Sequence, residues 1–327
     1  MDTITVLRAG YLGAAAMILL ISLIPALRTR FLSYGPRSSP STIKDKTINA
    51  KPEPKEAGPL TTTLDRLATL TVPHSYFTSF YFASVTCSLL WLTQLPTHGP
   101  LFRALAARTT RWSLETSMTY RQIILTWLLL LLQGSRRLYE SLEFSRPSKS
   151  RMWIGHWMIG VGFYMATSIA IWVEGMPAIQ AHNFTVLKPT DFALSGPNLY
   201  TFLGTLLFIL ASGFQHDVHA YLASLKTATA STNNKQPSPN PTPYTLPTHP
   251  AFSTLICPHY TAECLIYLSL TLIATPPTAW VNWTMFCAFI FVVVNLGVTA
   301  YGTREWYTRQ FGSEAVRGRW RMVPFVF

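Results

Sequence analysis

The sequence predicts an all-α membrane protein, a multi-span transmembrane bundle of about seven helices, and three observations predict it. Of the 327 residues, 49% are hydrophobic and only 12% charged, a balance foreign to a soluble domain of this size. Apolar runs long enough to cross about 30 Å of hydrocarbon at roughly 1.5 Å per residue fall near 10–27, 76–96, 152–173, 199–214, 264–281 and 283–301. A seventh, Ile123–Leu132, reaches across only when Tyr120 and Gln133 are included. Finally, the basic residues sit between these runs. With a cytosolic C-terminus, segments 28–75, 134–151, 215–263 and 302–327 hold 20 of the 26 Lys and Arg, as the positive-inside rule requires. Membrane topology thus accounts for the net charge of +12 and sets nucleic acid aside as a partner. The loop 97–121, with Arg103, Arg108, Arg111 and Arg121, runs against the rule in this topology.

In chain order, residues 1–27 read as an N-terminal anchor. Arg8 precedes the first run and no A-x-A-like site follows Ala26, so the segment is expected to stay in place. Residues 28–71 follow as a flexible cytosolic linker, dominated up to Pro59 by Pro, Ser and Lys. The membrane domain then covers 72–327. Its second span opens on Val72-Pro73-His74-Ser75-Tyr76-Phe77, with Phe80 and Tyr81 close behind; aromatics there form an interfacial belt or line a substrate path. The third ends in Gln133-Gly134-Ser135-Arg136-Arg137-Leu138-Tyr139-Glu140. Two arginines stop a span on the cytosolic side, and their forked donors also match phosphate oxygens. Arg136 and Glu140, at i and i+4, can pair with each other.

The fifth span ends in Gln215-His216-Asp217-Val218-His219. Histidines three apart suggest a metal box, but no His-His pair exists among the eight histidines, and metal is set aside. Gln215 and His219, one turn apart, instead suit a polar ligand. Residues 227–243 read as a disordered insertion ending at Tyr244-Thr245-Leu246-Pro247. The central stretch is Cys257–Tyr267, where His259 and Glu263 share a helix face at the mouth of an apolar run. A carboxylate carried to membrane depth is costly unless something polar occupies the site. The last span leads through Asn295 and Thr299 to Thr303-Arg304-Glu305-Trp306-Tyr307. The chain closes with Arg317, Arg319, Arg321 and Val323-Pro324-Phe325-Val326-Phe327, an apolar terminus expected to pack back against the bundle. Cys87, Cys257, Cys264 and Cys287 show no paired spacing, which argues against a disulfide framework or zinc site. Of two glycosylation sequons, Asn183-Phe184-Thr185 falls in a lumenal loop, whereas Asn282-Trp283-Thr284 lies too close to the bilayer to be used.

These blocks resemble, in order and spacing, the steroid 5-alpha-reductase family of multi-span endoplasmic-reticulum enzymes that use NADPH. Carrying the resemblance are Gln215 with His219, Tyr244-x-x-Pro247, Cys257-Pro258-His259-Tyr260 with Glu263, Trp306-Tyr307-x-x-x-Phe311 and the ending Pro324-Phe325-Val326-Phe327. Val72-Pro73 with Tyr76-Phe77 and Phe80-Tyr81, the run Arg136 to Glu140, and histidine at 219 and 259 are similar to the polyprenol-reductase branch, which serves dolichol synthesis and through it protein N-glycosylation. The resemblance covers roughly Val72 to Phe327. It implies that Gln215, His219, Tyr244, His259, Glu263 and Tyr307 hold the dinucleotide. The basic and aromatic neighbours Arg136, Arg137, Lys226, Trp306, Arg317 and Arg319 join them, with the active site facing the cytosol. The steroid branch carries Asn, Asp, Tyr, Asn, Glu and Tyr at the first six, so three differ. It also uses a second-span glutamate that has no counterpart between Val72 and Leu95, and a third-span tyrosine whose place is taken here by Gln133.

Hydride addition to a carbon–carbon double bond needs a sink for the electrons it delivers. A conjugated carbonyl supplies one and an allylic alcohol does not, so a long-chain polyprenal is a better direct substrate than the polyprenol. Catalysis then needs a donor at the developing oxyanion; His74, Tyr76, Tyr81 and Gln133 are the candidates. Two other readings compete: a reductase of steroid or other enones, and a non-catalytic multi-span transporter or scaffold, against which the lack of internal repeats weighs.

Overall fold

The computed structural model describes residues 1–32, 58–109, 113–145, 150–182, 184, 198–232 and 244–327, without the side chains of residues 60 and 226–232. In chain order the principal elements are α1 (Thr3–Leu23), α2 (Pro59–Thr69), β1 (Thr71–Pro73), α3 (Thr78–Gln94), α4 (Pro100–Ala106), α5 (Tyr120–Glu143), β2 (Arg151–Trp153), α6 (Ile154–Val173), α7 (Leu199–Thr232), α8 (Pro258–Ile273) and α9 (Trp283–Phe311). Among the described residues α1, α3, α5, α6, α7, α8 and α9 are the seven long helices of one bundle. Four of them, α1, α6, residues 199–225 of α7, and α9, are each long and apolar enough to cross a membrane by length and composition. The molecule is a helical, multi-pass membrane protein.

Several boundaries differ from those the apolar runs predict. Hydropathy registers only the part of a helix that faces lipid, whereas backbone hydrogen bonds continue wherever packing supports them. So α5 runs on to Glu143 and carries Arg136, Arg137 and Glu140 as helical residues. Likewise α7 continues past residue 214 to Thr232, through the first six residues assigned to a disordered insertion; residues 233–243 lie outside the described residues. α8 starts at Pro258, six residues ahead of the predicted run, with Pro in the first turn where its missing N–H costs nothing. The stretch 28–71 is not all linker. α2 is an amphipathic helix within it, and β1 pairs antiparallel with β2, Val72 opposite Met152. Residues 33–57 lie outside the described residues.

Lipid tails are as apolar as leucine, so the bundle depends on close packing and interhelical hydrogen bonds. Gly204 lets α7 approach α8: a Cβ there would stand 2.6 Å from Ile273 Cγ1 and 2.9 Å from the Ser269 carbonyl oxygen. The buried Trp91 indole donates to Ser168 Oγ at 3.1 Å, joining α3 to α6, and Trp127 donates to the Ser88 carbonyl at 2.9 Å, joining α5 to α3.

The interhelical segments sort to two ends. At one end, Arg28 pairs with Glu305 and lies over the Tyr301 ring, Phe31 packs on Trp153, and Leu255 bridges to Trp320. There the Trp320 and Arg321 carbonyls accept from Ile256 N and Cys257 N, meeting unpaired donors that precede α8. Phe327 turns back to pack on the core as the sequence predicts, although Phe325 and Val326 stay exposed. At the opposite end, Thr3 N donates to the Arg108 carbonyl. Buried Glu174 accepts from Arg8, Thr284 N and Thr284 Oγ1 at 2.9, 2.9 and 2.6 Å. The arginine-bearing loop 97–109 therefore sits away from the described parts of the basic segments 28–75, 134–151, 215–263 and 302–327. Asn282 is fully buried as the N-cap of α9, its amide donating to the Ala274 carbonyl at 3.0 Å. That sequon has no accessible amide. Asn183 lies outside the described residues, and the four cysteines are free.

Candidate active site

A cavity of about 510 Å³ lies at the first of these ends, walled by α3, α5, α6, α7, α8 and α9 together with the β1–β2 clasp. Helical spacing places its walls. Gln215 and His219 lie one turn apart on α7; His259, Glu263 and Tyr267 follow at intervals of four on α8; Asn295, Thr299, Thr303 and Trp306 descend α9, with Tyr307 beside them. These make a polar half. Phe77, Phe80, Ile159, Phe163, Phe291 and Val292 make an apolar half, and the phenols of Tyr81, Tyr164 and Tyr267 stand where the two meet. Gly160 lets the Phe80 ring lie against α6, since a Cβ there would come within 2.7 Å of it.

Behind the polar half is a continuous hydrogen-bonded network. Gln133, buried on α5, donates from Nε2 to Gln215 Oε1 at 3.1 Å and to Glu263 Oε2 at 3.4 Å, and its own oxygen accepts from Arg136 at 2.8 Å. Gln215 in turn donates to Glu263. Glu140, 1% exposed, binds Arg136, Arg137, His216 and His219. A carboxylate this deeply buried is tolerated because two guanidinium groups neutralise it and every lone pair finds a donor. Arg137 also donates to the Tyr81 hydroxyl at 2.6 Å, and its guanidinium lies 4.8 Å from the centre of that ring. His219 Nδ1 is 2.7 Å from Arg137 Nη1 and 2.8 Å from Glu140 Oε2. That nitrogen accepts from the arginine when unprotonated and donates to the carboxylate when protonated.

The structure brings together at the cavity His74, Tyr81, Arg137, Gln215, His219, His259, Glu263, Trp306 and Tyr307 of the residues singled out from sequence. Gln133 and Arg136 stand one layer behind, bonded to those that line it. Tyr76 does not line the cavity: it is 48% exposed, its ring 6.1 Å from Trp157. Tyr244 packs edge-on against Trp306 at 4.9 Å, on the outer face of that wall. Arg317 is exposed and pairs only with Glu314 among the described residues. Arg319 is partly buried beside Tyr307 without lining the cavity. The Lys226 side chain lies outside the described ones. Sequence reasoning missed Tyr164, Tyr267, His156 and Asn295. Tyr267 continues the i+4 register of His259 and Glu263 and was there to be read. Tyr164 and His156 sit in a uniformly apolar run, and only tertiary packing shows which way they face.

Buried donors without a partner mark where a ligand's acceptors would fit. Among the described residues His259 Nδ1 and Arg137 Nε are of this kind on the cavity wall, and Arg319 Nη1 lies behind it beside Tyr307, so the residues present suit an anionic, acceptor-rich molecule such as a dinucleotide. The apolar half suits a hydrocarbon.

The sequence model of the 3-oxo-5-alpha-steroid 4-dehydrogenase family matches residues 163–327, which carry the polar half of the cavity apart from the α5 residues. Similar proteins include polyprenal reductase of Saccharomyces cerevisiae, 24% identical over 317 residues that cover 97% of this chain and 92% of the yeast protein. Polyprenal reductase 2 of Oryza sativa subsp. indica is 25% identical over 299 residues, 79% of this chain and 80% of its own. Polyprenal reductase of Xenopus tropicalis is 29% identical over 206 residues, 63% and 61% of the two chains. With more than half of its length matched and its polar residues gathered around one cavity, this chain belongs to the 3-oxo-5-alpha-steroid 4-dehydrogenase family.

Proposed function

We propose that the protein reduces the α-isoprene double bond of a long-chain polyprenal with NADPH, yielding the saturated aldehyde from which dolichol for protein N-glycosylation derives. The observation that carries this reading is the division of a single cavity into a polar half, lined by Gln215, His219, His259, Glu263 and Asn295, and an aromatic, hydrocarbon-accepting half, with three phenols between them. The similarity to polyprenal reductases along most of the chain supports it. NADPH supplies hydride when bound. In this reading Gln215, His219, His259, Glu263, Trp306 and Tyr307 hold the dinucleotide. Gln133 and Arg136 fix Gln215 and Glu263, and Arg319 adds positive charge beside Tyr307. The apolar half holds the isoprenoid. Charge asymmetry supports placing the cavity end on the cytosolic face of the endoplasmic reticulum.

Among the described residues Glu263 is the one carboxylate that lines the cavity, and it comes from α8; α3 has no acid with which to polarise a steroid ketone. The substrate must therefore arrive already activated by conjugation. Offered polyprenal and polyprenol separately with NADPH, the purified protein is expected to saturate the aldehyde and leave the alcohol untouched unless a dehydrogenase is added, with steroid enones turning over poorly. Reduction of polyprenol with no oxidising partner present would overturn the enal mechanism, and preferential reduction of a steroid enone would overturn the substrate.

A further inference from the structure

Hydrogen-bond accounting distinguishes among the four candidate donors. Gln133 has both amide hydrogens committed, to Gln215 and Glu263, and its oxygen to Arg136. Tyr76 stands outside the cavity. His74 lines it, but from the turn ahead of α3, with its ring stacked on Phe77 at 5.8 Å, nearer the clasp than the network. Tyr81 is buried, lines the cavity, and sits where the polar and apolar halves join.

The sense of its one hydrogen bond matters. Guanidinium has five donors and no acceptor, so in the 2.6 Å contact with Arg137 Nη2 the Tyr81 oxygen must accept. The phenol hydrogen is left over, and among the described residues no acceptor is paired with it. Arg137 cannot easily move away: Nη1 is held by Glu140 and His219, and the guanidinium rests on the Tyr81 ring. Resting on the enal-reduction reading above, we propose that Tyr81 is the catalytic hydrogen-bond donor to the substrate carbonyl. Arg137 is then its positioning residue, serving the substrate and not the dinucleotide.

In this arrangement a hydride reaches the β-carbon and the displaced π pair moves through the α-carbon onto the carbonyl oxygen. The Tyr81 O–H bonds to that oxyanion. A proton from water then adds to the α-carbon, the enolate pair returns to re-form the C=O bond, and one NADPH and one proton are consumed per double bond.

The test uses the purified full-length protein with NADPH and polyprenal. Removing one oxyanion donor by Tyr81→Phe is expected to lower kcat about a hundred- to thousandfold, with the Kd for NADPH unchanged. Tyr164→Phe, Tyr267→Phe and His74→Gln should each cost less than about tenfold, short of that donor-sized loss. Arg137→Gln should lower kcat with little change in KM or NADPH affinity, Arg137→Lys should recover part of the loss, and Arg137→Gln should add little in the Tyr81→Phe background, because both act through one hydroxyl. Should the Phe variant fail to fold, fluorinated tyrosines at position 81 keep the shape, and the rate should vary steadily with phenol acidity. A flat response, a Tyr81→Phe loss under about threefold against the hundredfold expected of a donor, or a donor-sized loss at His74, Tyr164 or Tyr267 in its place would overturn the assignment of Tyr81. Weakened NADPH binding in Arg137→Gln would return that residue to the dinucleotide. A wild-type protein that leaves polyprenal untouched would remove the enal reading itself, before any variant is compared.

Discussion

Glu140 shows how one side chain can anchor a site it does not line. It is buried among Arg136, Arg137, His216 and His219, so Glu140→Ala leaves two guanidinium groups facing each other in a low-dielectric interior. Breaking a buried ion pair from one side costs about 3–5 kcal/mol, and thermal denaturation in detergent should show a loss of that order. An unchanged midpoint would mean that solvent already reaches the arginines. Glu263 and Tyr307 differ, because they face the cavity. Glu263→Gln and Tyr307→Phe should each weaken NADPH binding about tenfold, or roughly 1.4 kcal/mol, near the top of the range for an ordinary hydrogen bond, and leave the fold intact. Titration of NADPH fluorescence in the two variants reads this directly, and unchanged curves for both would remove these residues from the dinucleotide site.

At the scale of a helix, α7 offers an internal comparison. Gly204 and Gly213 share the helix, but a Cβ at 204 meets the α8 backbone whereas one at 213 meets open space. Alanine is favoured over glycine in a helix interior by up to about 1 kcal/mol. Gly213→Ala should therefore be neutral or stabilising. Gly204→Ala should destabilise by roughly 1–3 kcal/mol, as overpacking does, by prising α7 from α8 and with it Gln215 from Glu263. If both variants melt together, the close approach at Gly204 contributes nothing measurable. The same helix shows where sequence reading stops short: its hydropathy fades at residue 214, yet the helix continues, because past that point one face still packs while the other meets water.

For the molecule as a whole, the cavity and the described parts of the basic segments 28–75, 134–151, 215–263 and 302–327 share one end of the bundle. A C-terminal tag in sealed microsomes should accordingly be open to added protease, and a protected tag would place the cavity on the lumenal face. Most of the architecture was legible without coordinates. Composition and apolar runs determine a helical membrane bundle, since only helices and closed barrels satisfy backbone groups in lipid and long continuous apolar runs suit the helix, and i, i+4 spacing determines that Gln215 with His219, and His259 with Glu263, share helix faces. Tertiary structure alone decided which of these faces meet. Gln133 and Glu140, separated from Gln215 and His219 by 82 and 79 positions, become their neighbours only when α5 packs beside α7, and Tyr81 is set apart from Tyr76 by one turn of backbone that buries the first and leaves the second exposed. Local periodicity governs the direction of a side chain about its own helix axis; which helix stands opposite depends on shape complementarity and buried charge between distant segments, a property of the packed bundle that no window of sequence contains.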